Sequence, residues 1–163
     1  MSTLCDAGRA TLIVIDVQER LMPAIYEGGA VVRNALMLAQ AARMLQVPVI
    51  GTAQNPAGLG PKVPEVHALC ECVIAKMDFD ACAQAAFLDA LNNTRDDLIV
   101  IGCEAHVCVL QTVLGLLQRK RRVRVVADAV GSRQPFNKAA GLERAKAAGA
   151  ELVTTEMVLF ESL

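Results

Sequence analysis

Three side chains of complementary chemistry stand at matching places in this sequence, each just past an apolar run. Asp16 closes the run 11–15, Lys76 follows a short run at 72–75, and Cys108 lies a few residues beyond the run 97–102. A thiol is mostly protonated at neutral pH, so a cysteine nucleophile needs help. An ammonium and a helix N-terminus favour the thiolate, and a carboxylate within reach can accept its proton. Backbone N–H groups in the turn after Gly102 can hold a developing oxyanion. These are the working parts of an acyl-transfer enzyme. Each also has an ordinary structural use: a strand-end carboxylate as cap or lysine partner, a lysine as surface charge, a cysteine as a small buried hydrophobe. What favours the chemical reading is the arrival of all three at one edge of a sheet.

The elements that must bring them there can be read from the apolar periodicity. The run 11–15 ended by Asp16 is a strand buried on both faces. Gly28 and Gly29 precede a helical pattern with apolar residues at Val32, Leu36, Ala39, Ala42 and Leu45. Residues 47–51 form a second strand, and 52–65, broken by Pro56, Gly58, Gly60, Pro61 and Pro64, a loop. A third strand at 72–75 leads to Lys76. Asp78 is placed to cap a helix running through Phe79, Cys82, Ala86, Phe87 and Leu91. The fourth strand is 97–102, followed by a helix across Val107, Leu110, Val113, Leu114 and Leu117, and the fifth strand is 123–127. Pro135 suits the first turn of the next helix, and Gly149 its end. A sixth strand at 150–154 and a short helix from Thr155 complete the chain.

Strands alternating with helices predict a single α/β domain over 1–163, a three-layer, doubly wound parallel sheet. In such sheets ligands bind beyond the carboxyl ends of the strands, where strand order reverses. That rule selects Asp16, the loop 52–60, Lys76 and the segment after Gly102. It leaves no dinucleotide site, because the residues after Asp16 offer no glycine-rich turn.

Composition closes other routes. The chain is 54% hydrophobic but only 3% aromatic, an aliphatic core suited to a parallel sheet covered on both faces. A formal net charge of −1 gives no bulk attraction to nucleic acid or anionic membrane. The basic run 119–122, with Arg124, falls at a helix end, where cations complement the exposed carbonyls. No apolar run approaches the ~18 residues needed to span a bilayer, and residues 1–10 lack a signal peptide's apolar stretch. The expected compartment is the cytoplasm. Six cysteines there read as free thiols. Cys70 and Cys72, one residue apart with no second pair, suit zinc poorly and are read as structural.

Residues 102–109 (GCEAHVCV) resemble the nucleophile turn of isochorismatase-like cysteine hydrolases. Residues 16–18 (DVQ) resemble their first-strand motif, and 76–79 (KMDF) their lysine segment. Residues 54–61 (QNPAGLGP), 125–133 (VVADAVGSR) and 154–156 (TTE), with Phe160 and Glu161, match in order and spacing. The similarity spans nearly the whole chain and is greatest to small members of unassigned substrate. It implies strand order 3-2-1-4-5-6, Asp16 as general base, Lys76 as the cation that stabilises the thiolate, and Cys108 as nucleophile. It also implies a non-proline cis peptide joining Cys103 to Glu104, with the amides of Glu104 and Cys108 aimed at the oxyanion. The implied reaction is metal-independent hydrolysis of a small amide, carbamoyl or related C–N substrate through a thioester-type intermediate, without a cofactor. The implied assembly is a homo-oligomer.

The chain departs from the pattern in places. Nicotinamidase relatives carry an Asp and two His metal ligands, where this chain has Thr52, Ala53 and Gln54; no metal and no nicotinamide are therefore expected. Ala53 stands where an acid is common in nearer relatives. Cys103 replaces a branched aliphatic and is read as core. His106 precedes Cys108 by two residues, which on a helix points the two apart, so it is read as a pocket or subunit-contact residue rather than half of a dyad. Gln18, Gln54, Asn55 and Phe79 are placed in the pocket wall, Leu59 and Met77 in packing. Isochorismate-type vinyl ether cleavage is disfavoured by the presence of Cys108. The competing class is a retired family member that keeps the fold as a binding or assembly protein. A peroxide-sensing pair of Cys103 and Cys108 is a third reading.

Overall fold

The computed structural model describes residues 4–163. Six strands form one all-parallel sheet: β1 (Ala10–Ile15), β2 (Val49–Gln54), β3 (Cys72–Lys76), β4 (Asp97–Cys103), β5 (Arg122–Gly131) and β6 (Glu151–Val153). Their order is β3-β2-β1-β4-β5-β6, as expected. The seven helices are α1 (Gly28–Met44), α2 (Pro56–Leu59), α3 (Pro64–His67), α4 (Ala85–Ala90), α5 (Cys108–Gln118), α6 (Pro135–Ala147) and α7 (Thr155–Glu161).

The period-2 geometry of β1 divides the interior into two cores. Leu12 and Val14 pack with Ala35, Leu38 and Ala39 of α1 and Val158 of α7. Ile13 and Ile15 point the other way, to Val109, Val113 and Leu116 of α5 and Ala145 of α6. Each fully buried Val, Leu or Ile contributes about 1.5–3 kcal/mol by leaving water. A strand with both faces covered cannot slip register without losing both cores. That fixes Asp16 at the rim. Among the described residues no helix is long and apolar enough to cross a membrane.

Several boundaries differ from the sequence expectation. The second strand starts later and runs to Gln54, and the segment read as loop holds α2 and α3, each opening on proline. The helix expected from Asp78 is instead a 3-10 turn over Ala81–Ala83 and the six-residue α4. Its cap is Asp80, which accepts from the Cys82 amide at 2.8 Å. The strand read as 123–127 extends to Gly131, across a register shift against β4 between Val100 and Gly102. Its extra length delivers Ser132 and Arg133 to the nucleophile turn.

Arg124 is the largest correction. Read with the basic run as a cation at a helix end, it is fully buried, with Asp97 at 2.9 Å, Glu151 at 3.3 Å and Glu161 at 3.9 Å. Arg122, two residues earlier on the same face and at the start of β5, stays half-exposed. Glu161 also accepts from the Cys5 amide at 2.9 Å, so one guanidinium ties the N-terminal segment, β4, β6 and α7 together.

Candidate active site

Asp16 follows β1 directly and takes the left-handed conformation, φ 50°, which turns the chain sharply and leaves the carboxylate at the sheet rim. Both its oxygens are occupied. Thr52 Oγ1 donates to Oδ1 at 2.8 Å, and Lys76 Nζ to Oδ2 at 2.9 Å. Parallel pairing of β1, β2 and β3 sets this contact: Ile13 lies beside Ile50, and Gln54 beside Lys76.

Lys76 is buried to its tip. A lone buried ammonium is costly, and the fold surrounds this one with acceptors. Besides Asp16, Nζ donates to Gln54 Oε1 at 2.6 Å and to the carbonyls of Phe79 at 3.2 Å and Asp78 at 3.3 Å. Gln54 is held in turn, its Nε2 donating to the Met77 carbonyl at 2.7 Å. Gln18 is fully buried, donating to the carbonyls of Gly60 at 2.8 Å and Gln54 at 3.0 Å and accepting from the Gln54 amide at 2.8 Å. Placed in the pocket wall by the sequence reading, it has no open surface in this chain and braces the β2 end from behind.

Cys108 is the first residue of α5, 6% exposed. Its thiol faces Asp16 and Lys76, the two charged side chains that act on it. Burial pushes the thiol up to about 12, the Asp16 carboxylate adds to the rise, and Lys76 opposes it without prevailing. The sequence reading weighed only influences that favour the thiolate. In the resting site the sulfur is protonated, beside a carboxylate that can take the proton.

The turn from β4 into α5 contains the cis Cys103–Glu104 peptide, at the bond the resemblance implied. Gly102 precedes it at φ 119°, and a Cβ there would stand 1.9 Å from the Ile15 carbonyl oxygen. Only glycine permits that approach. Among the described residues the N–H groups of Glu104 and Cys108 donate to no protein acceptor, whereas Ala105 N donates to Gly131 O at 2.8 Å and Val109 N to Glu104 O at 3.2 Å. Gly141 of α6 lets that helix close on the turn, since a Cβ there would lie 2.8 Å from His106 Cα.

Around the mouth, Phe79 and Met77 are 51% and 68% exposed. Met77 is therefore not the packing residue expected, while Leu59 is half-buried. Asn55 is half-buried at the start of α2, its amide donating to the Lys76 carbonyl at 2.8 Å. His106 Nδ1 pairs with Ser132 Oγ at 2.8 Å. Glu104 accepts from Arg133 at its backbone N, 3.0 Å, and at Nε, 3.2 Å. Cys103 is fully buried against the Met22 sulfur at 3.7 Å. Among the described residues no three His, Cys, Asp or Glu side chains gather as a metal site.

Two residues were given no role of their own in the sequence reading. Thr52 orients the Asp16 carboxylate; its signal was a hydroxyl in the segment beyond an apolar run. Lys62 is buried at 2% exposure, and nothing in a Pro- and Gly-rich segment marks it.

A sheet of order 3-2-1-4-5-6 flanked by helices has counterparts among known proteins. The isochorismatase domain matches residues 10–157, and the chain belongs to that family. It is 38% identical over 154 residues to isochorismatase domain-containing protein 2 of Danio rerio, covering 93% of this chain and 78% of that one. The structure of MAR1 ribonuclease from Caenorhabditis elegans superposes with TM-score 0.92 at 33% identity, covering 98% of this chain and 83% of that one. Two YcaC structures superpose with TM-score 0.93 at 28% identity, each over 99% of this chain. One, from Pseudomonas aeruginosa, carries hexane-2,5-diol and covalent acrylamide and is covered over 84% of its length. The other, from Escherichia coli, is described as an octameric hydrolase of unknown specificity and is covered over 83%.

Proposed function

We propose that the protein is a metal-independent cysteine hydrolase of small amides, carbamoyl compounds or related C–N substrates, with Cys108 as nucleophile. One observation carries this: the sheet brings the Cys108 thiol, at the start of α5, to an Asp16 carboxylate whose geometry Thr52 and Lys76 have already fixed. The sulfur attacks the carbonyl carbon while Asp16 accepts its proton. The oxygen's negative charge is received by the free N–H groups of Glu104 and Cys108. Collapse breaks the C–N bond, and Asp16 returns the proton to the departing amine. Water, deprotonated by Asp16, then cleaves the thioester, releasing the acid and restoring the thiol. Lys76 holds Asp16 in place and offsets negative charge throughout. Capture of acrylamide by the Pseudomonas relative fits a site of this kind. Gln54, Asn55 and Phe79 line the substrate side, and Gln18 supports them from behind.

The ribonuclease name of the nematode relative suggests another substrate, but the basic run at the end of α5 lies about 16 Å along the helix axis from Cys108. Arg133, nearer the mouth, is engaged by Glu104. The octameric relative supports self-association, and Met77, Phe79 and Phe136, 82% exposed, supply apolar surface at that end. Free thiols throughout suit the cytoplasm, where we place the protein.

The test is the pH dependence of iodoacetamide alkylation, read by peptide mass spectrometry, in wild type, Asp16→Asn and Lys76→Met. A Cys108 rate well above those of the other cysteines, with a profile altered in either variant, supports the hydrolase. A Cys108 rate no different from Cys82, indifferent to both changes, means a retired site serving binding or assembly.

A further inference from the structure

Beneath the site lies a second buried lysine that the proposed mechanism does not use. Lys62 follows Pro61 on the return from α2, and its backbone bridges to Gln18, the residue that braces Gln54. Its side chain runs inward across β2 at Gly51. A Cβ on Gly51 would stand 2.5 Å from Lys62 Cε and 2.9 Å from Cys70 Sγ, so the glycine makes room for the lysine stem. The ammonium donates to the Val14 carbonyl at 3.0 Å, two residues before Asp16 on the same strand. The side chain thus crosses from the loop behind the site to the strand that presents the base.

We propose that Lys62 is a positioning residue of the Asp16, Lys76 and Cys108 site, fixing the β1 end and adding a second positive charge beneath the Asp16 carboxylate. This rests on the hydrolase reading for its catalytic meaning, though not for its electrostatics. The charged and titratable groups facing Lys62 are Cys70 before β3, Asp16 after β1, Cys103 on β4 and Lys76 on β3. Burial lowers Lys62 to about 8; Cys70, Asp16 and Cys103 oppose the drop and Lys76 adds to it. The charge is therefore present at neutral pH and withdrawn just above it. Lys76 has four acceptors around it, whereas Lys62 has one carbonyl. A merely structural strut would hold β1 equally well in either state.

The experiment has two independent arms. The first titrates Lys62 by NMR of 13Cε-labelled lysine in wild type and Asp16→Asn, with Lys62→Met to assign the resonance. The expected midpoint is near 8 in wild type and lower in Asp16→Asn, since coupling between two charges is reciprocal. A midpoint at the ordinary ~10.4, or one that ignores Asp16→Asn, overturns the proposal whatever Cys108 does. The second arm follows Cys108 alkylation from pH 6.5 to 9.5. Wild type should show a bend near pH 8 that both Lys62→Met and the always-charged Lys62→Arg lack, with a roughly threefold lower rate in Lys62→Met at pH 7, half a unit in the ionisation balance, that Lys62→Arg restores in part. Superimposable profiles of wild type and Lys62→Met overturn the positioning role. Should Cys108 prove unreactive in wild type, the hydrolase reading falls, and the NMR arm still decides the charge coupling.

Discussion

Gln54 holds Lys76 more closely than Asp16 does: its Oε1 lies 2.6 Å from Nζ, against 2.9 Å for the carboxylate. The neutral amide, anchored by the Met77 carbonyl on a backbone that Gln18 holds, thus fixes the cation alongside its charge partner. Gln54→Leu leaves Lys76 with a missing acceptor and room to swing. We expect kcat/KM, or the Cys108 alkylation rate before a substrate is known, to fall about 10- to 100-fold, the effect typical of a lost orienting hydrogen bond to a charged group. An unchanged rate would show that Asp16 alone suffices to hold the lysine.

Thr52→Val tests the other side of the same network. The substitution keeps the shape and removes the donor to Asp16 Oδ1. The expected result is a roughly tenfold slower Cys108 reaction, about 1.4 kcal/mol, with little change in melting temperature.

The buried thiols predict alkaline instability. Burial raises Cys5 to about 11 and Cys82, Cys103 and Cys108 to about 12, against ~8.5 in an unfolded chain. Above pH ~8.5 the unfolded state releases these protons and the native state keeps them, so stability falls as pH rises toward the folded values. Lys62 acts in the opposite sense. Its lowered value costs stability below about 8, a cost relieved as pH climbs toward the unfolded ~10.4. Urea unfolding under reducing conditions should show a decline from pH 8.5 upward, shallower in Cys82→Ala and steeper in Lys62→Met. A flat profile would contradict both assignments.

Arg124→Met should destabilise the fold by about 3 kcal/mol, because it leaves buried Asp97 with only the more distant Arg122 at 4.0 Å. The companion Arg124→Met, Asp97→Asn should recover much of that loss by removing the stranded charge. Chemical denaturation of both variants measures the difference.

Gly102→Ala should cost about 3 kcal/mol or more, since the backbone is left-handed there and the new Cβ would strike the Ile15 carbonyl. Because that contact aligns β1 with the nucleophile turn, Cys108 reactivity should fall together with the melting temperature.

How these features relate to the sequence can be argued residue by residue. Asp16, Lys76 and Cys108 were legible because each follows an apolar run, and strand ends in a parallel sheet converge on one rim. The strand order was legible through the family motifs, which carry topology that periodicity does not. Arg124 and Lys62 were not. A charged residue inside a basic run or a proline-rich loop looks solvated, and its burial depends on partners distant in sequence: Asp97 and Glu161 for one, the Val14 carbonyl and the space left by Gly51 for the other. The rise of the Cys108 thiol was not legible for a related reason. Local pattern shows which charges are near, and not how completely packing strips the sulfur of water.

The position of β1 between β2 and β4 has a consequence for a chain emerging from the ribosome. Base and cation belong to the half-sheet β1–β2–β3, which is complete once residue 76 is made; the thiol belongs to the half that follows. A nascent chain can assemble the Asp16–Lys76 pair while one edge of β1 still waits for β4. Cys108 meets its base only when β4 zips onto that edge, along six residue pairs from Ala10 with Asp97 to Ile15 with Gly102. Synthesis thus completes the Asp16–Lys76 pair before the sulfur that faces it.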